Sequence, residues 1–268
     1  MYDRQISVRR VANELGISKS MVHNIMNTHL RMRKVYTRWV PKLLTPLQRM
    51  NRVDYCRELL QQTEASPIQF LSRIVTSDES WIYNYDPLTQ VEAKVRKKSD
   101  EPTPTRPRQQ RSVGKVMTTI FWDKDGILPT DYLACESTID GQYYASLIER
   151  LRRTILEKRR GKISHGVLLL HDNAPVHKSN IVHAAIHQTG FVELNHSAYS
   201  PDIAPIDYYL FSNLKKFLRG KNFGSNDEAI QAVEDYFNDL DSEFFCQGIE
   251  SLCDRWQRVV ANQGQYIQ

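Results

Sequence analysis

Leu168-Leu-Leu-His-Asp-Asn-Ala-Pro175 is an apolar run that stops on three polar side chains and is punctuated by a proline. With Val167 before it, the run has the length of a buried strand, and turn residues close it. Helical periodicity lies on both sides, over Gln142 to Arg160 and Ser179 to Gln188, and another short strand, Val192 to Leu194, follows. Strands separated by helices in this way specify an α/β sheet covered by those helices. Upstream the pattern changes. Strand-like runs at Gln69 to Ser77, Ser80 to Tyr85, Lys115 to Trp122, and from the Asp123-Lys-Asp-Gly126 turn to about Ala134 follow one another without helices, as antiparallel strands do. The expected body is therefore α/β, a mixed sheet flanked by helices, completed by helices at Asp207 to Leu218, Asp227 to Leu240 and Ser251 to Gln263.

Asp172 emerges where the buried strand ends, and two further aspartates stand in equally specific settings. Asp78 lies in Val75-Thr-Ser-Asp-Glu-Ser-Trp-Ile82, again at the close of an apolar run. Asp207 opens a helix-like segment in Tyr199-Ser-Pro-Asp-Ile-Ala-Pro-Ile-Asp-Tyr208. Carboxylates gathered at strand and helix ends are the hard oxygen ligands that Mg²⁺ prefers, and such a cluster repels itself without a cation. The chemistry this points to is metal-dependent phosphoryl transfer.

Each residue also has a plainer role. A lone aspartate at a strand end caps a turn, Asp207 has the position of an N-cap, and Asp202 competes with Asp207 as the third acid or serves as a loop residue. Asn173 and His177 are placed to orient groups around Asp172. Glu79 adjoins Asp78 but faces the opposite side of a strand, so it reads as a supporting group. His183 and His187 share a helix face, yet no third ligand and no cysteine pair completes a zinc site.

The first third of the chain adds a partner. Residues 1–62 hold 12 Lys and Arg against 4 Asp and Glu, and residues 93–111 hold 7 against 2, whereas residues 227–254 hold 9 acids and no Lys or Arg. The basic part is suited to a polyanion and the acidic part is not. Val8-Arg-Arg-Val-Ala-Asn-Glu-Leu15 reads as a short amphipathic helix, Gly16 as a turn, and Ser18 as the N-cap of a second helix, Lys19 to Asn27. Ala12, Val22 and Ile25 supply the close packing of a helix-turn-helix. The second helix would present Lys19, Ser20, His23, Asn24 and Asn27 to DNA, with Arg31, Arg33 and Lys34 just beyond it. A solvated charged surface is the plainer account of either basic stretch alone.

The expected division is 1–35 as helix-turn-helix, 36–66 as a linker with a helix starting at Thr45-Pro46 and running to about Gln62, and 67–268 as the body. Within the body, 96–112 forms a proline-rich loop. The apolar fraction of 41% suits a folded protein, and no apolar run approaches the ~20 residues that span a bilayer. The start lacks a signal core. Cys56, Cys135, Cys246 and Cys253 are scattered, as reduced thiols of the cytoplasm or nucleus are.

Taken together, these blocks resemble the mariner family of DNA transposases. The resemblance rests on Trp39-Val-Pro41, Ser77-Asp-Glu-Ser-Trp-Ile-Tyr83, Gly114-Lys-Val-Met117, Phe121-Trp-Asp123, Leu168 to Ala174, Tyr199 to Pro205, Asp207-Tyr208 and Arg255-Trp-Gln257. The 34 residues between Asp172 and Asp207 match the family's distinctive spacing. The resemblance implies an RNase H-like catalytic domain, and Asp78, Asp172 and Asp207 as ligands of two Mg²⁺ ions, with Mn²⁺ able to substitute. It also implies cut-and-paste transposition of double-stranded DNA into TA targets by a homodimer in the nucleus, with the 96–112 loop reaching toward the partner subunit. It settles the third acid on Asp207 rather than Asp202.

Two departures stand out. Ser77 and Ser80 replace the family's usual Gly and Thr beside the first aspartate. The chain also opens near the second of the family's two helix-turn-helix modules, which leads us to expect impaired recognition of transposon ends. Some relatives are joined to a histone methyltransferase, and nothing in these residues resembles that domain. The competing expectation is a catalytically silent or domesticated DNA-binding relic.

Overall fold

In the computed structural model, which describes residues 5–35, 37, 39–134 and 138–267, Ile74–Tyr83 forms the central strand β1. Lys115–Asp123 (β2) and Gly126–Ala134 (β3) add to one side of it as an antiparallel meander. Leu168–Leu170 (β4) and Val192–Glu193 (β5) add to the other side in parallel, giving the order β3-β2-β1-β4-β5. The change from antiparallel to parallel pairing thus falls on β1. β4 stops opposite Thr76, while β1 continues to Tyr83.

Period-two alternation sorts β1 between two cores. Ile74 and Ile82 join a cluster built on Pro46–Glu64 (α3), Pro67–Arg73 (α4), Ser212–Leu218 (α8), Asn226–Asn238 (α9) and Ser242–Ala261 (α10). Val75 joins the opposite cluster, with Gly141–Lys158 (α5) and Asn180–Thr189 (α7). Helices therefore cover both faces of a mixed sheet. The short Lys162–His165 (α6) precedes β4.

Three sequence expectations need correction. Gln69 to Arg73 is helical, not extended: Pro67 takes the first turn of α4 and Phe70 and Leu71 are buried by it, so the strand starts only at Ile74. The runs around Asp78 are then one ten-residue strand, and Asp78 sits in its middle rather than at its end. The last helix begins at Ser242, capped by Asp241, because Phe245, Ile249, Leu252, Trp256 and Val259 form one buried stripe at helical spacing.

The chain divides into two compact units, Met1–Pro41 and Lys42–Gln268. The 36–66 segment is split by that division: α3 buries Arg52, Val53, Tyr55, Cys56 and Leu59 in the second unit. In the first unit, Val8–Leu15 (α1) and Lys19–Asn24 (α2) are capped by Ser7 and Ser18 and joined at Gly16, whose φ of 66° favours a residue without Cβ. Ala12 and Val22 are buried. Ile25, expected inside, is 37% exposed, because α2 gives way there to a π-turn over Ile25–His29 that rotates the face. Residues 96–112 contain no helix or strand. Arg38 and Cys135, which the sequence reading placed in the linker and among the free thiols, lie outside the described residues. Cys56, Cys246 and Cys253 are free.

Candidate active site

Asp78 and Glu79 are neighbours on β1 and so face opposite cores. Asp78 points to the face where Pro201–Ile203, a 3₁₀ turn, leads into a π-helical turn over Ile206–Phe211. That turn carries Asp207, whose carboxylate is within hydrogen-bonding reach of Asp78. Glu79 points to the α5–α7 side, where its Oε1 lies 3.4 Å from His177 Nε2. Asp172, just past the end of β4, bridges the two sides. Its Oδ1 accepts from Ala174 N at 2.9 Å and lies 2.9 Å from His177 Nδ1.

The sheet therefore brings Asp78, Asp172 and Asp207 into one electrostatic cluster, with His177 tying Asp172 to Glu79. Burial drives the Asp78 carboxyl well above the usual carboxylate range, and the charges of Asp207, Glu79 and Asp172 drive it further. Burial raises Asp207 to about 6, although Lys215 opposes the shift. Asp172 goes the other way. Burial pushes it up, but the His177 hydrogen bond and the Ala174 N–H overcome that and hold it below the ordinary value. Burial of the His177 imidazole disfavours its charge, yet its bonds to Asp172 and Glu79 lift it to about 10. His177 thus carries a positive charge between two acids.

Among the described residues, no three His, Cys, Asp or Glu side chains stand ready-assembled around an ion, since Asp172 is drawn back to His177. The donor set nonetheless fits Mg²⁺: it is all carboxylate oxygen, and the charges of Asp207 and Asp172 oppose that of Asp78, which a cation would relieve. Mg²⁺ must displace the protons that Asp207 and Asp78 hold. We expect its affinity, followed by titration calorimetry, to climb as pH rises through about 6 and onward until Asp78 ionises. Equal affinity a pH unit either side of that value would contradict a site built on these two acids.

The remaining sequence candidates are placed as follows. Asn173 Nδ2 donates to the His196 carbonyl and so fastens the loop behind Asp172. Asp202 is not in the cluster; it accepts two hydrogen bonds from the buried Arg52, at 2.7 and 2.9 Å, and one from Ile267 N. His183 binds Glu193 at 3.0 Å, which His171 also contacts. Lys19, Ser20, His23, Asn24, Asn27, Arg31, Arg33 and Lys34 are all exposed. Asn27 Nδ2 lies 2.8 Å from His23 Nε2, and Thr28 donates to Asn24.

Sequence reading missed the support under the cluster. Tyr144 of α5 is buried, its hydroxyl 3.1 Å from both Ser77 Oγ and His171 Nδ1, and its ring 4.1 Å from that of His177. Nothing in its local spacing signals this, because the contacts join α5 to β1 and β4 through tertiary packing.

Known proteins resemble this chain over nearly all of its length. A family model described as Transposase (partial DDE domain) matches residues 87–165, a segment that lies between Asp78 and Asp172 and contains none of the three aspartates. The Mariner Mos1 transposase of Drosophila mauritiana is 33% identical over 266 residues, 97% of this chain and 74% of that protein. The chain belongs to the mariner transposase family. Crystal structures of Mos1 paired-end complexes with Mn and with Mg each superpose with a TM-score of 0.85 at 30% identity, over 99% and 98% of this chain and 77% and 76% of theirs. The human histone-lysine N-methyltransferase SETMAR is 31% identical over 267 residues, 99% of this chain but 38% of its own length. The two-helix first unit and the five-stranded sheet are thus those of a mariner transposase, with an RNase H-like catalytic domain. Among the described residues no helix is long and apolar enough to cross a membrane.

Proposed function

We propose that this chain cuts and joins DNA as an active transposase, with Asp78, Asp172 and Asp207 holding Mg²⁺, or Mn²⁺ in its place. What supports the reading is that Asp78 on β1, Asp172 past the end of β4 and Asp207 on the π-turn are near enough to feel one another's charge, with Asp78 and Asp207 raised by burial and Asp78 further by the neighbouring carboxylates. When bound, the metal supplies charge neutralisation at the scissile phosphate and eases deprotonation of the attacking oxygen. The protein positions the reactants. His177 fixes the Asp172 carboxylate and keeps it ionised, Asn173 anchors the loop that carries it, and Glu79 holds His177 from the other side. Water attacks the phosphorus, breaking its bond to the 3′-oxygen and leaving a 5′-phosphate and a 3′-hydroxyl; that hydroxyl then attacks a target phosphodiester and expels the target's 3′-oxygen as a hydroxyl, with no covalent enzyme intermediate.

The exposed Lys19, Ser20, His23, Asn24 and Asn27, followed by Arg31, Arg33 and Lys34, suit contact with bases and phosphates of a transposon end. The Mos1 paired-end complexes support a homodimer on DNA; action at TA targets in the nucleus is proposed on the family resemblance alone. The deciding experiment incubates the purified chain and its Asp172→Asn variant with supercoiled plasmid carrying mariner ends, in Mg²⁺ or Mn²⁺. Nicking or linearisation by the parent alone is expected. A folded parent that leaves the plasmid intact defeats the reading.

One observation favours a second reading. The kinship with SETMAR, whose name is that of a methyltransferase, shows the same fold within a protein named for other chemistry. A domesticated relic would bind DNA with a steep salt dependence and cut nothing.

A further inference from the structure

Asp207 and Lys215 are eight residues apart on one continuous helical segment, first π and then α. In an α-helix two turns take about 7.2 residues, so eight residues overshoot by roughly 80° and the pair would diverge. The wider i→i+5 turn over Ile206–Phe211 absorbs the surplus residue. Lys215 therefore stands two turns above Asp207 on the same face, and helical side chains lean toward the N-terminus, which for Lys215 means toward the carboxylates. The charges confirm the proximity: Lys215 is the main influence lowering Asp207, and Asp207 the main one raising Lys215 against its burial.

Lys215 also lines a cavity of about 370 Å³ with Glu79, Ser80, Trp81, Tyr83 and Arg111. Other cations near it are engaged. Arg111 binds Asp86 at 2.7 Å, and Lys115 lies over Trp81 at 3.9 Å. Among the described residues, the half-buried Lys215 ammonium makes no hydrogen bond or ion pair, and it lies 5.5 Å from the Phe211 ring.

Resting on the transposase reading above, we infer that Lys215 is a substrate-contacting residue, its ammonium held by the π-turn to bind a DNA phosphate in this groove beside the carboxylates. A half-buried ammonium with three unused donors is matched to a phosphate oxygen, and a strand lying over Trp81 and Tyr83 would bring its backbone there.

The test compares Lys215→Gln and Lys215→Arg with the parent in two measurements. In plasmid nicking with Mg²⁺, the Gln variant is expected to lose roughly ten- to a hundredfold, the scale of one charged hydrogen bond, and the Arg variant to keep most of the rate. In binding of a short fluorescent duplex without metal, over a salt series, the Gln variant is expected to lose about one unit of the log–log salt slope. Equal nicking by the Gln variant and the parent overturns the inference. So does an unchanged salt slope with nicking restored by extra Mg²⁺, since Lys215 would then serve only to offset Asp207. A parent that nicks nothing fails the transposase reading instead, and the metal-free salt slope still decides whether Lys215 touches DNA.

Discussion

Replacing Asp78 with Asn is expected to abolish DNA nicking while making the metal-free protein harder to unfold. The two effects have one origin. Asp78 sits mid-strand on β1, half-buried and facing Asp207, and its charge is opposed by Asp207, Glu79 and Asp172. An acid whose folded value lies above its unfolded one leaves stability intact below the unfolded value and erodes it as pH rises toward the folded value. For Asp207 that window runs from 3.8 to about 6, and for Asp78 it opens at 3.8 and extends well above it. Asparagine keeps the shape and removes the repulsion. Calorimetry above pH 6 should show a higher midpoint, by about 2–4 °C for each kcal/mol of strain removed. Nicking should fall by roughly three orders of magnitude, about 4 kcal/mol in the barrier, because a metal-binding oxygen is lost. A variant that is both inactive and less stable would mean that Asp78 is structural.

Arg52→Ala should produce the largest loss of stability. Its guanidinium is completely buried, pairs with both oxygens of Asp202, and donates to Ser200 Oγ at 2.6 Å and to the Gly264 carbonyl at 3.0 Å. Truncation leaves the Asp202 carboxylate nearly enclosed and without its guanidinium, still accepting from the backbone N–H of Ile267. Removing one member of such a pair costs about 3–5 kcal/mol, a large part of the 5–15 kcal/mol that typically holds a domain together. Urea unfolding measures it directly. A joint Arg52→Met, Asp202→Leu variant should recover much of the loss, because the buried charge goes with its partner. A loss below about 1 kcal/mol for Arg52→Ala would show that solvent reaches the pair.

Much of this was legible because it is local. Leu168 to Leu170 reads as a strand from its own composition, and the caps at Ser18 and Thr45 lie where their side chains predict. The boundary near Arg73 was not legible, because Phe70, Leu71, Ile74 and Val75 satisfy helical and extended periods alike. What no local pattern encodes is pairing at long range. Arg52 with Asp202, Tyr144 with Ser77, and Glu79 with His177 meet only once the sheet and its helices have docked. The π-turn over Ile206–Phe211 escaped for a related reason. Its residues are ordinary helix formers, and the wider turn shows only in the backbone.

The Arg52 clasp also sets an order of events during synthesis. Arg52 is made early, yet its acceptors at Ser200, Asp202 and Gly264 follow 148 to 212 residues later. While the ribosome is still adding α5 or α7, α3 has an apolar face and a cation with no acceptor to cover it. The second unit therefore cannot close around α3 until the residues through Gly264 have been made and fold back onto it. A nascent chain arrested just before residue 200 should remain protease-sensitive around α3 and dependent on chaperones, although all five strands of the sheet have been made.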